Sequence, residues 1–525
     1  MNKLKSKREA RMEPPNFIHL PDPYPNELGA PDDILKRKAF AGLKKHLAVF
    51  KEQGPRFSSK AKEYKNRLDS ELMAIKEAGF ANYLLVAADI VDYAHSHDIP
   101  VGPGRGCAAG SLVNFALNIT KLDPLEHGLL FEMFLARGPD YLPRIDIEFC
   151  GERQPEIVRY VTRKYGKTKV KQLAHTTTPR LRATVREVGR ILRLSPAKIS
   201  EICKLIPLDS RDLGEAIERE PKLQRMTAHD PQVSNLFQIA IRVEGQVHFI
   251  SANSAGSFAF VLADKPIKDF LPLYQDLNNA QPPVHIFAHD EAKMLGLAVY
   301  NFIGLGILTK INLCLKLVKE KHGREIDLDF LPLDDKRTWE LLARGDTDGI
   351  FLMEAEGVKQ LLLRLKPRNI DQLAAVHALY RPGPLARGVT DSYICRKKGL
   401  GKIPKIHPVF DELTKETLGL VLYQEQGLMI LHRFVGFSMD EAIAFFKDCK
   451  NNDPQARTKF LQRCSTRKQP KAKAIQIIDQ IIKFAPSAFL KAHAVCCALI
   501  SYRTAWLKAN YPGEFMASFF RGEQG

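Results

Sequence analysis

The sequence predicts a multidomain α/β protein, on three observations. At 525 residues it is too long for one hydrophobic core, and two to four domains are expected. Two alternating apolar stretches, residues 143–149 and 297–305, have the period of strands. Long helix-periodic stretches surround them and dominate residues 310–525.

In chain order, residues 1–33 are polar and proline-rich and are expected to be an extended lead-in. Residues 34–53 and 58–79 have helical periodicity with lysines outward, and Gly54-Pro55 breaks them apart. An apolar segment opening at Gly79-Phe80 delivers the chain to a glycine-rich turn, Gly102-Pro103-Gly104-Arg105-Gly106-Cys107, which runs into another stretch of helical spacing. Backbone N–H groups of such a turn can cradle phosphates, because they lack helical partners and carry the positive end of a dipole. The stretch PRIDIEF (143–149) follows. As a strand it puts Arg144, Asp146 and Glu148 on one face, and Ile145, Ile147 and Phe149 on the other. Carboxylates two apart on a strand suit Mg²⁺ beside a phosphate, but the arginine in the same row opposes that.

Residues 155–165 read as a helix. The stretch 163–193 holds Arg180, Arg182, Arg186, Arg190 and Arg193 among ten cations, against the single acid Glu187. Spacings of three and four place Arg182, Arg186, Arg190 and Arg193 on one helical stripe, with Val185, Val188, Ile191 and Leu192 turned elsewhere to bury. A solvated face is the bland interpretation; phosphate contacts are the sharper one, favoured by the lack of acids. Residues 196–245 read as helices, 250–275 as strands and turns, and 310–525 as helices punctuated by turns such as Arg381-Pro382-Gly383-Pro384.

Composition bounds the partners. The 78 basic and 60 acidic residues leave a net charge of +18, which points to a polyanion and first to nucleic acid. No apolar run reaches membrane-spanning length, and the first fifteen residues lack the apolar core of a signal peptide. Nine cysteines without paired spacing suit reduced, buried thiols in a cytoplasmic protein.

Several ordered blocks then match one family: VGPGRGCAAGSLVNFALNIT (101–120), LDPLEHGLLFEMFL (122–135), PRIDIEF (143–149), NFIGL (301–305), LYRPGPL (379–385), LYQEQ (422–426) and FLKAH (489–493). The chain resembles the C-family replicative DNA polymerases, the family of the alpha subunits of bacterial DNA polymerase III. The resemblance implies a beta-type nucleotidyltransferase-like palm (34–175 and 250–305), a basic helical thumb (176–249) and large, mostly helical fingers (306–525). It also implies a core alone, without the family's metal-dependent PHP domain and without its clamp-binding and clamp-loader-binding modules. The expected partner is primer–template DNA, with a weakened deoxynucleoside triphosphate site, in the bacterial cytoplasm near the nucleoid.

The resemblance further implies three catalytic aspartates holding Mg²⁺. The family's P-D-x-D-x-D-F motif reads here as Arg144, Asp146 and Glu148, and its F-D-F-L-G-L aspartate falls on Asn301. Asp146 and Glu148 remain as catalytic and weak metal candidates. Gly104, Arg105 and Gly106 keep the nucleotide-binding turn, while Cys107 replaces a serine. Arg381, Lys491 and His493 match basic positions near the incoming nucleotide, although His493 taken alone reads as a structural histidine. Phe445–Asn452 matches a motif with an arginine pair and keeps one cation at that pair, Lys447. The expectation is therefore a DNA-binding polymerase core whose DNA-directed nucleotidyl transfer is lost or strongly impaired. Two alternatives stay open: an active polymerase with a rearranged metal site, and a decaying truncated paralogue.

Overall fold

The computed structural model describes residues 20–52, 61–135, 143–173, 175–177, 181–207, 210–246, 249–251, 257–270, 295–451 and 453–520. It is mostly helical with a small mixed sheet. The described residues form two compact units. One takes in those up to Lys171, those of 256–270 and those from 291 onward; the other takes in those of 172–255.

The first unit begins with helices α1 (Pro31–Glu52), α2 (Ala61–Glu77) and α3 (Ala81–Ser96). Pro31 supplies the fixed φ that suits a first helical turn, and Asp32 and Asp33 complement its dipole, so the helix starts inside the stretch expected to be extended. Helix α3 is buried on nearly every side, from Ala81 to Ala94. Its one deeply buried carboxylate, Asp89, is satisfied by the hydroxyls of Tyr160 (2.9 Å) and Tyr165 (2.8 Å) and by Lys164 Nζ (2.5 Å). A carboxylate in such a core is tolerable only with this full set of donors.

Four strands make the sheet, in the order β1 (Asp146–Cys150), β6 (Ala298–Leu305), β5 (Ser257–Leu262) and β2 (Val170–Gln172). Strand β6 runs parallel to β1 and antiparallel to β5. Being central, it is covered on both faces, so residues 298–302 are all buried where the sequence pattern predicts alternation. Tyr300 stacks between Tyr83 of α3 (4.7 Å) and Phe260 of β5 (5.5 Å). Helix α4 (Gln154–Tyr165) follows β1, and α6 (Gly306–His322) follows β6. The helices beyond gather on a large core around α8 (Lys491–Asn510), which is buried over almost its whole length.

The second unit is a helical cluster beginning with α5 (Leu181–Ile191), with a two-stranded antiparallel ribbon of β3 (His175–Thr177) and β4 (Phe249–Ser251). Its core holds Val185, Val188, Ile202, Leu213, Leu223, Val233 and Leu236. Ile191, expected to bury, is 74% exposed. It ends the helix, and the chain reverses immediately: Leu194 N–H bonds to the Gly189 carbonyl and Arg193 adopts a left-handed φ of 58°. Arg193 therefore lies past the helix end rather than on its stripe.

Candidate active site

The register of the two central strands builds the site: Asp146 on β1 lies directly beside Asn301 on β6. Asn301 Nδ2 donates to Asp146 Oδ1 at 2.8 Å, and Arg144 Nε donates to the same oxygen at 2.8 Å. Arg144 precedes the strand and is exposed, so its long side chain folds back over the carboxylate from solvent. Asp146 thus lies between a charged donor and an amide donor.

Glu148 follows two residues on. It is buried, its Oε1 takes a long contact from Arg105 Nη1 at 3.4 Å, and its Oε2 has no partner among the described residues. Burial pushes its carboxyl up to about 7, against the nearby Arg105 charge and with some help from Asp146. The glycine turn explains the placement. Gly102 N–H bonds to the Glu148 carbonyl at 2.8 Å, and a Cβ on Gly102 would fall 2.5 Å from Glu148 Oε2. Only a glycine leaves room for this side chain. At Gly104, φ is +111° and a Cβ would come within 2.8 Å of Thr120, so the sharp turn needs glycine twice over.

The turn continues into 3-10 helix at Gly106–Gly110 and a short helix at Leu112–Ala116, which Ser111 caps. Glu71 of α2 locks that exit: it accepts from Ser111 Oγ (2.8 Å) and Val113 N (3.1 Å) while pairing with Arg67 (2.6 Å). Burial pushes the Cys107 thiol up to about 12, with Glu425 and Asp146 adding to the effect. Cys107 is therefore a neutral thiol, a weak donor where the resemblance expects a serine.

Helix α8 brings His493 toward the same place. Its imidazole is held down to about 4 by burial, then by the Arg105 charge, with Asp146 opposing. Lys491 begins the helix but turns away, its Nζ paired with Glu416 at 3.0 Å. The helix end itself is capped by Glu425, which accepts from the N–H groups of Lys491 (2.8 Å) and Ala492 (3.1 Å). Sequence reasoning missed this cap, because its partners are 66 and 67 residues apart. Arg381 is likewise engaged internally: Nη2 donates to the Ser487 carbonyl at 2.6 Å and the guanidinium lies 4.1 Å over the Phe489 ring. Lys447, on α7 (Met439–Lys450), is exposed and makes no ion pair among the described residues. Lys450, one turn on, has a lowered pKa from burial and from the Arg381 charge, so it lies nearer that arginine's field.

Mg²⁺, which the resemblance implies, does not fit these groups. The one carboxylate at the strand pair is already bonded by two donors, and the amide at the third ligand position presents its donor rather than its oxygen. Glu148 packs beneath Gly102 with its Oε1 toward Arg105. Among the described residues no group of three or more His, Cys, Asp or Glu side chains is arranged to hold a metal.

The basic stripe divides. Arg186, Arg190 and Arg193 are exposed, whereas Arg182 is half-buried and donates Nη2 to the Ile206 carbonyl at 2.6 Å. Arg180 lies outside the described residues. All nine cysteines are free; Cys395 is exposed, against expectation, and Cys107 is partly buried.

Burial has a measurable pH signature near the site. His377 Nε2 lies 3.1 Å from Ser501 Oγ, and burial, then the His493 charge, hold its imidazole down to about 3. The unfolded chain binds protons on both histidines near pH 6.5, where the folded chain binds none. Stability is therefore undiminished above that pH and is lost as pH falls toward the folded values. Between about pH 7.5 and 5, His377→Gln should lose about 2 kcal/mol less stability than the parent chain in urea titrations.

The family match agrees with these elements. The model for the bacterial DNA polymerase III alpha NTPase domain matches residues 33–304, and that for the bacterial DNA polymerase III alpha subunit finger domain matches residues 307–468. DNA polymerase III subunit alpha of Caulobacter vibrioides is 37% identical over 514 residues, covering 96% of this chain and 44% of the relative. The subunits of Aquifex aeolicus and Escherichia coli K12 are 36% and 35% identical, each covering 93% of this chain and 43% of the relative. A mostly helical protein with a small mixed sheet that bears an aspartate beside a glycine-rich turn is the class so defined. The chain belongs to the bacterial DNA polymerase III alpha family. It spans less than half the length of these relatives.

Proposed function

We propose that this chain is a polymerase III alpha-like core that binds primer–template DNA and has lost, or nearly lost, template-directed nucleotidyl transfer. Residues 34–175 and 250–305 serve as palm, 176–249 as a basic thumb and 306–525 as fingers; residues 1–33 lead in. The observation that carries the reading is Asp146 bonded by both Arg144 and Asn301, the two residues at the lost aspartate positions. Nucleotidyl transfer needs two metal ions clamped by carboxylates, and a guanidinium and an amide already satisfy this one. Gly104, Arg105, Gly106, Cys107, Arg381, Lys447, Lys491 and His493 form at best a weakened triphosphate site, since Lys491 and Arg381 are engaged within the fold. Mg²⁺ binding is accordingly weak or absent.

DNA is held through phosphates by Arg186, Arg190 and Arg193, with Arg180 and Arg182 as further candidates. The place of action is the bacterial cytoplasm beside the nucleoid; no described helix is long and apolar enough to cross a membrane. A second reading, an active polymerase with a shifted metal, draws on Glu148 Oε2, a carboxylate oxygen without a partner. The two readings part in one experiment on a labelled primer–template with Mg²⁺ and all four deoxynucleotides. Salt-sensitive binding without extension is expected; extension abolished by Glu148→Gln would establish the second reading instead.

A further inference from the structure

A cavity of about 620 Å³ lies in the first unit, walled by Pro100 and Pro103, by α6 and by α8. Leu308, Ile311, Leu315 and Ile500 make its apolar lining, and Arg503 and Asp329 its polar wall. That volume is in the range of small-molecule sites. We infer that this cavity binds a small neutral amphiphile: a flat apolar body bearing an amide-type edge, with a carbonyl acceptor beside an N–H donor.

The polar wall sets the chemistry. Arg503 is only 7% exposed, and its Nη2 donates to Asp329 Oδ1 at 2.6 Å. Asp329 also meets Lys121 Nζ at 3.4 Å, so its charge is compensated from two sides. A guanidinium beside a carboxylate presents donor next to acceptor, which is the complement of an amide or lactam edge. An anion would meet Glu325, Asp327 and Asp329 around the same opening, and a cation would have to compete with Arg503 and Lys121 for Asp329. A neutral ligand avoids both costs. Asn312 also lines the cavity and its side chain makes no hydrogen bond among the described residues, so an adaptable amide is at hand. The inference is independent of DNA binding and of the state of the catalytic carboxylates.

Three probes with one apolar body decide it: naphthamide, naphthoate and naphthylmethylamine, titrated against the full chain by ligand-observed NMR. Naphthamide should bind with Kd on the order of 1 mM, the level expected for its size. The anion and the cation should each bind at least about tenfold more weakly. Leu315→Trp, which fills the cavity from its partly open side, should weaken naphthamide at least about tenfold. Arg503→Lys keeps a cation for Asp329 but removes the planar guanidinium edge, and should weaken it about threefold to tenfold. Should Arg503→Lys fail to fold, Leu315→Trp decides alone. Equal affinity for the three probes, indifference to Leu315→Trp, or no saturable naphthamide binding overturns the inference.

Discussion

Arg144→Asp combined with Asn301→Asp should raise deoxynucleotide incorporation by about 10³-fold or more over the parent chain, which itself is expected to extend a primer barely or not at all. The double change removes the guanidinium that bonds Asp146 Oδ1 at 2.8 Å and replaces the amide donor opposite it by an acceptor. Three carboxylates then converge on one strand pair, and their mutual repulsion is relieved by a divalent cation rather than by an arginine. Restoring a metal clamp is worth several kcal/mol in the transition state, and each ~1.4 kcal/mol is a factor of ten. Single-nucleotide incorporation on a primed template measures it. Neither single reversion should suffice, because each leaves one donor on Asp146. If the double variant folds and stays inert, the loss extends beyond the strand pair, and Cys107 and the Phe445–Asn452 stretch become the next positions to restore.

Reversing the charges of Arg186, Arg190 and Arg193 together should abolish most DNA affinity and flatten its salt dependence. Each neutralised phosphate releases a counterion and contributes about −0.9 to the log–log salt slope, so three contacts alone supply a roughly 40-fold change between about 50 and 200 mM salt. Fluorescence anisotropy on a duplex with a recessed end reads both quantities. Arg182→Ala should instead cost stability, since that side chain is spent on the Ile206 carbonyl. Unchanged affinity and slope in the triple variant would mean that DNA is held elsewhere on this +18 chain.

Much of this was legible in the residues. The strand at 143–149, the glycine turn before it and the basic helix after it each carry a local signature, in period, glycine spacing and charge spacing. The Arg144–Asp146 contact follows from the same local logic, because residues two apart in extended chain start about 6–7 Å apart and arginine is long. What escaped depends on partners distant in sequence. Glu148 shares a strand face with Asp146, yet its side chain occupies the room left at Gly102, which only the folded edge brings beside it. Arg182 looks like its neighbours along the stripe until Ile206 folds back to accept its proton. Ile191 and Arg193 fail the helical pattern because the helix ends between them. Strands β2 and β3, three residues each, are too short for any period to register. The cap on α8 from Glu425, and the inward turn of Lys491 to Glu416, belong to tertiary packing of the same kind.

The central claim is that Asp146 is occupied by protein donors and holds no working metal site. Calorimetric titration of the parent chain with Mn²⁺ tests it most directly, with Asp146→Ala alongside. The account predicts no submillimolar binding and no difference between the two proteins, because the charge of Arg144 already cancels that of Asp146 and Asn301 adds none. Submillimolar Mn²⁺ binding that disappears in Asp146→Ala would contradict it.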